Sequence, residues 1–131
     1  MKKITLRQTY KLCSELWTWL GNNPTQEKFE WPGWNRFLVN RNNIYIKNLC
    51  FACEYDLQKG SIFTQCFNCP LIELWGDDCV QSYKSPYRKW TEAKSTKIKR
   101  RNAFKIADFC DKKLEELKNK KGVICVLIMI L

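Results

Sequence analysis

The 131-residue chain has no histidine. That removes the side chain that most often moves protons near neutral pH, and every metal motif that needs an imidazole ligand. The zinc deaminase signature, which joins His-x-Glu to a Cys pair, is excluded with it. Glycine is scarce, at five residues, and never precedes a Lys-Ser or Lys-Thr pair, so no phosphate-cradling P-loop is present. The longest apolar run is the nine-residue stretch Val123 to Leu131, far short of the roughly 20 residues a membrane span needs. The residues after Met1-Lys2-Lys3 are too polar for the apolar core of a secretory signal. These absences argue against a conventional enzyme and for a binding protein that meets a reducing cytosol.

Sulfur is abundant by contrast, with eight cysteines. Four of them form two Cys-x-x-Cys pairs, Cys50-Phe-Ala-Cys53 and Cys66-Phe-Asn-Cys69, with twelve residues between the pairs. Such a turn presents two thiolates to one side, and two turns together can close a tetrahedral cage. Cys50, Cys53, Cys66 and Cys69 are therefore candidate ligands for a structural Zn²⁺. Cys79, ten residues further on, is a possible substitute ligand. An iron–sulfur cluster uses the same ligand type. Disulfides or unbound thiols would also account for the pairs, the disulfides being disfavoured in a cytosol. A closed cage would stiffen the fold, with a binding free energy on the order of 10 kcal/mol, without conferring activity. Cys13 and Cys110 fall on apolar helical faces and read as core residues.

Charge is unevenly distributed. Residues 84 to 121 hold fourteen Lys/Arg and five Asp/Glu, so that segment carries nearly all of the net charge of +10. Arg88, Lys89, Lys94, Lys97, Lys99, Arg100, Arg101 and Lys105 form a candidate phosphate-binding patch, and the interleaved Tyr87 and Trp90 are candidates to stack on unpaired bases. The plainer alternative is a solvated helix face with the two aromatic rings buried. Glu73, Asp77 and Asp78 could bind a hard cation, as a small metal-dependent nuclease would require, but they fit a turn better.

The pattern along the chain predicts an α+β fold, with a small helical domain, a zinc-ribbon-like Cys hairpin and a long C-terminal helix. Thr5-Leu-Arg-Gln8 is a capping box. Leu6, Tyr10, Cys13, Trp17 and Leu20 give the following helix, over residues 5–20, one apolar face, which Leu16 and Trp19 widen. Gly21 is expected just past its end. Trp31-Pro-Gly-Trp34 predicts a tight turn with two aromatic lids, Ile44-Tyr-Ile46 a strand, and Lys59-Gly-Ser61 the hairpin turn. Ser85-Pro86 opens a short helix. A long helix then follows to Lys120, with Ala103, Ile106, Ala107, Cys110, Leu114 and Leu117 on its seam and Gly122 as its stop. Residues 1–122 read as one domain, and the apolar tail 123–131 as a terminal strand or buried segment, a weak membrane-surface anchor being the second reading.

Several motifs occur in a fixed order: Trp17-x-Trp19-Leu20, Asn23-Pro24, Trp31-Pro32-x-Trp34, Cys50-Phe51-x-Cys53-Glu54-Tyr55, Cys66-x-x-Cys69-Pro70-Leu71, Trp75-Gly76, Cys79, Ser85-Pro86-Tyr87-x-Lys89-Trp90, and Arg100-Arg101-x-Ala103 followed by Ile106-Ala107. This order resembles a group of small bacteriophage and prophage proteins, over about residues 12 to 110. The group brings no assigned activity with it. The resemblance implies a phage accessory protein in the cytoplasm of a bacterial host, and it associates Cys79 with the two Cys pairs. Together with the charge, it leads to the expectation of a non-enzymatic module that binds nucleic acid or a host nucleic-acid-handling complex, most concretely an anti-defence inhibitor of the anti-CRISPR type. A protein-binding module using exposed aromatics such as Trp31 and Trp34 is the alternative.

Overall fold

A computed structural model describes residues 3–35, 50–60, 68–75 and 83–130, the stretch 121–130 as backbone only. Helix α1 spans Leu6–Asn22, α2 Phe51–Gln58, α3 the single turn Ile72–Trp75, α4 Pro86–Glu92 and α5 Thr96–Ile130. Two 3₁₀ turns, Lys28–Glu30 and Pro32–Trp34, follow α1. Every regular element among the described residues is helical, which overturns the α+β assignment. The error has a local cause. The Cys-x-x-Cys spacing suits a hairpin knuckle, whereas here Cys50 caps a helix and Cys53 lies in its first turn. Phe51, Ala52, Glu54 and Asp56 are then buried by packing, although the segment carries no helical apolar stripe. The strand expected at residues 44–46 lies outside the described residues.

Helix α1 starts as its capping box dictates. The Gln8 N–H donates to Thr5 Oγ1 at 3.1 Å and the Thr5 N–H to Gln8 Oε1 at 2.9 Å. Its end differs from expectation, because Gly21 is helical and the cap is Asn23, whose N–H and Nδ2 both donate to the Trp19 carbonyl at 2.9 Å. Gly21 serves close approach instead, since a Cβ there would overlap the Phe104 ring of α5. The main interface of the molecule is thus α1 against α5, and Leu16, Leu20, Ala103, Ile106 and Cys110 are fully sunk in it. The Ser14 hydroxyl donates to the Asp111 carboxylate at its edge.

Ser85 caps α4 with Pro86 at the first helical position, as the sequence requires. The seam of α5 also follows the expected spacing, with Leu114 and Leu117 partly buried at its far end. Gly122 does not stop the helix, and the backbone remains helical to Ile130, so the tail is not a strand. A glycine inside a helix costs only about 1 kcal/mol, which the Lys-, Glu- and Leu-rich run before it can offset. No described helix is long and apolar enough to cross a membrane.

Aromatic rings hold the small elements onto this helical pair. Trp17 meets Trp90 and Tyr87 edge-on at 5.0 and 5.9 Å, which docks α4 onto α1. Trp31 lies edge-on to Trp34 at 5.1 Å, and both rings pack on Phe51. The lid role expected of the Trp31–Trp34 turn is therefore seen, and it places Trp31 inside the core.

Candidate functional site: a basic groove and a sulfur-lined cavity

The basic run divides according to which side of α5 each residue occupies. Lys89, Lys94, Arg101 and Lys105 line one open groove of about 390 Å³ between α4 and the start of α5, with Asn102 and Ile98 in its floor. All four cations are exposed, and none has an ion-pair partner among the described residues. Glu92 is the carboxylate in the lining, and Arg88 holds it through an Nε–Oε1 contact of 2.9 Å. Lys97 stands exposed one helical turn before Arg101.

The other cations of the run have intramolecular partners. Arg100 Nε donates to the Gly21 carbonyl at 3.2 Å, satisfying a C-terminal carbonyl of α1. Lys99 lies 3.8 Å from Glu27 and 4.7 Å from the centroid of the Trp90 ring. Arg88 stacks on Tyr83 at 4.3 Å, and the Glu92 carboxylate raises its pKa further. The expected eight-residue patch therefore reduces to Lys89, Lys94, Lys97, Arg101 and Lys105. The expected base-stacking aromatics are not available either. Trp90 is 3% exposed, and Tyr87 packs between Trp17 and Trp75. Helical periodicity places 101 and 105 on a different side of α5 from 99 and 100, and the partners that occupy Lys99 and Arg100 come from distant parts of the chain.

Cys13, Cys50 and Cys53 line a separate cavity of about 150 Å³ walled by Trp17, Trp75, Tyr87 and Lys28. Cys50 is the N-cap of α2 (φ −143°, ψ 107°), and its Sγ accepts the Cys53 N–H at 3.3 Å. The Cys53 thiol also donates to it, and the Lys28 ammonium lies nearby, so the Cys50 thiol is pulled down to about 6. Cys13 is the opposite case. Its contact with Cys110 across the α1–α5 interface, together with burial, pushes its pKa well above the ordinary thiol value. Cys13 and Cys110 are core residues, as expected.

Cys69 faces a different hollow, shared with Tyr10, Tyr55 and Asn68. Its segment is tied to the body by hydrogen bonds: the Asn68 N–H donates to Asp56 Oδ1 at 2.6 Å, Asn68 Nδ2 to the Lys59 carbonyl at 3.4 Å, and Tyr10 Oη to the Pro70 carbonyl at 3.1 Å. Burial, followed by the fields of Cys110 and Glu73, pushes the Tyr10 phenol up to about 12. Cys66 and Cys79 lie outside the described residues. Among the described residues no three Cys, Asp or Glu side chains are grouped closely enough to hold a metal ion. Glu73 is engaged by Lys113 at 3.1 Å, and its suggested partners Asp77 and Asp78 lie outside the described residues. The activated character of Cys50 is the feature that sequence reasoning missed. Its signal is the N-cap position, which shows only when Cys-x-x-Cys is considered as a helix start as well as a knuckle.

No family model, curated protein or solved structure matches the chain.

Proposed function

We propose that the chain binds a polyanion, either nucleic acid or the exposed nucleic acid of a host nucleoprotein, through the groove between α4 and α5. The observation that carries this reading is the convergence of Lys89, Lys94, Arg101 and Lys105 on one open groove while the one carboxylate in its lining is held by Arg88. When a phosphate backbone docks on surface cations that lack internal partners, it releases its condensed counterions and takes protein contacts in their place. The groove offers no exposed ring from Trp90 for stacking, so recognition is of the backbone and largely independent of sequence. A basic module of this kind acts by gripping the exposed RNA or DNA of a nucleoprotein, which is the physical form an anti-defence inhibitor would take.

The test is binding of a labelled DNA duplex and a labelled RNA at several salt concentrations, with wild-type protein and a variant carrying Lys89→Ala, Lys94→Ala, Arg101→Ala and Lys105→Ala. Affinity of the wild type should fall steeply as salt rises. The variant should lose most of its affinity, and its slope of log K against log salt should be shallower by about 3 to 4 on duplex DNA, close to one per phosphate contact removed. Equal binding by the two proteins, or wild-type binding indifferent to salt, would remove the groove as the interface.

A further inference from the structure

Three sulfurs border one cavity, but only two of them are placed for chemistry. Cys13 is 2% exposed and engaged with Cys110, whereas Cys50 and Cys53 are both partly exposed. Cys50 and Cys53 stand one helical turn apart at the start of α2, with the second thiol directed at the first sulfur. An N-cap is normally Ser, Thr, Asp or Asn, so capping gives no reason for a cysteine at this position. Helix starts and neighbouring ammonium groups both favour a thiolate, and here the α2 N-terminus and Lys28 supply both. The adjoining space is apolar and about 150 Å³, the size of cavity that accepts a benzene-sized group.

We propose that Cys50 and Cys53 form a thiol–disulfide exchange site whose substrates are small disulfides with one apolar, ring-sized half that enters the cavity. The Cys50 thiolate attacks the substrate sulfur bearing that half. The substrate S–S bond breaks, its electron pair leaves with the other half as a thiolate, and that thiolate takes a proton from solvent. Cys53 then loses its proton to solvent and attacks the Cys50 sulfur, expelling the second half as a thiolate that solvent protonates. The substrate has gained two electrons and two protons and become two thiols, and Cys50 and Cys53 are joined as a disulfide. A dithiol reductant reverses the last state and completes the cycle. This chemistry uses neither the groove nor its cations, so it stands or falls separately from polyanion binding.

The test uses the full chain, reduced and freed of reductant, with 2,2′-dithiodipyridine as the probe because its pyridyl half matches the cavity. Release of thiopyridone should show one fast phase at Cys50, at least about 100-fold faster than reaction at Cys13, as expected for a partly exposed thiol at a helix start beside an ammonium against one sunk in the core. Peptide mapping should find the Cys50–Cys53 disulfide as the product. Cys53→Ser should stop the reaction at a pyridyl mixed disulfide on Cys50. Cys50→Ser should abolish the fast phase while keeping the helix cap, because serine is a preferred N-cap, and circular dichroism checks that the variant is folded. Similar slow rates at all cysteines, or a fast phase that survives Cys50→Ser, would overturn the proposal. So would a stoichiometric bound zinc ion that keeps Cys50 and Cys53 unreactive until a chelator removes it, since the pair would then belong to a metal cage.

Discussion

The cavity beside α2 and the groove between α4 and α5 are assembled by opposite means from overlapping material. At the cavity, side chains from α1, α2, α3, α4 and the first 3₁₀ turn converge, and a single ammonium, Lys28, sits among mostly apolar neighbours. At the groove, the elements contribute the side chains that the core does not use, and the cations face solvent. At the cavity the Cys50 thiol is lowered first by the hydrogen bond from Cys53 and less by Lys28, with burial opposing both; the groove depends on several charges acting together, each weak and screened by salt. Trp17 belongs to both regions, because it walls the cavity and also anchors α4, one bank of the groove.

That shared residue gives the largest expected effect. Trp17→Ala removes a buried ring that touches Trp90 and Tyr87, and should cost about 3–5 kcal/mol of stability. Urea unfolding measures it, and the comparison predicts the loss of fast Cys50 reactivity and of polyanion binding together. A variant that kept either one at full strength while losing this stability would show that the two regions do not share the Trp17 wall.

The second test sharpens the division within the basic run. Lys99→Ala with Arg100→Ala removes two cations of the same segment that are tied to Glu27, Trp90 and the Gly21 carbonyl. Stability should fall by about 1 kcal/mol, reduced from the sum of the individual contacts because both side chains are partly solvated. Affinity for duplex DNA should stay within about threefold of wild type, since charges outside direct contact are screened. The four-residue groove variant should do the reverse, losing affinity with little change in melting temperature. If the tied pair proved as damaging to binding as the groove set, net charge would matter more than its placement.

What could be read from the sequence follows the range of the interactions involved. The Thr5–Gln8 capping box and the Ser85-Pro86 start are contacts within four residues, so their residue types suffice to place them. The α5 seam at Ala103, Ile106, Ala107 and Cys110 was legible because one long periodic run fixes a face without help from elsewhere. Cys50 was not, because the same Cys-x-x-Cys spacing fits a metal knuckle and a helix N-terminus, and the choice depends on Phe51 packing against Trp31 and Trp34. The patch was over-counted for a related reason. Arg100 is removed from it by a carbonyl 79 residues away in the chain, which no local pattern announces.

Gly21 offers the smallest effect and the finest test of how closely α1 and α5 must approach. Gly21→Ala adds a better helix former inside α1, worth about 1 kcal/mol in favour of folding. The same Cβ would overlap the Phe104 ring, and overpacking of this kind costs roughly 1–3 kcal/mol. The opposing terms leave a net destabilisation of about 1 kcal/mol, read as a modest fall in the urea midpoint. Phe104→Leu in the same chain clears the space, so the alanine should then become neutral or stabilising, and the double-mutant cycle isolates the contact. The cycle tests the steric reading directly: if the alanine stays as damaging in the Phe104→Leu background as beside the native ring, the close approach of α5 is not what the glycine serves.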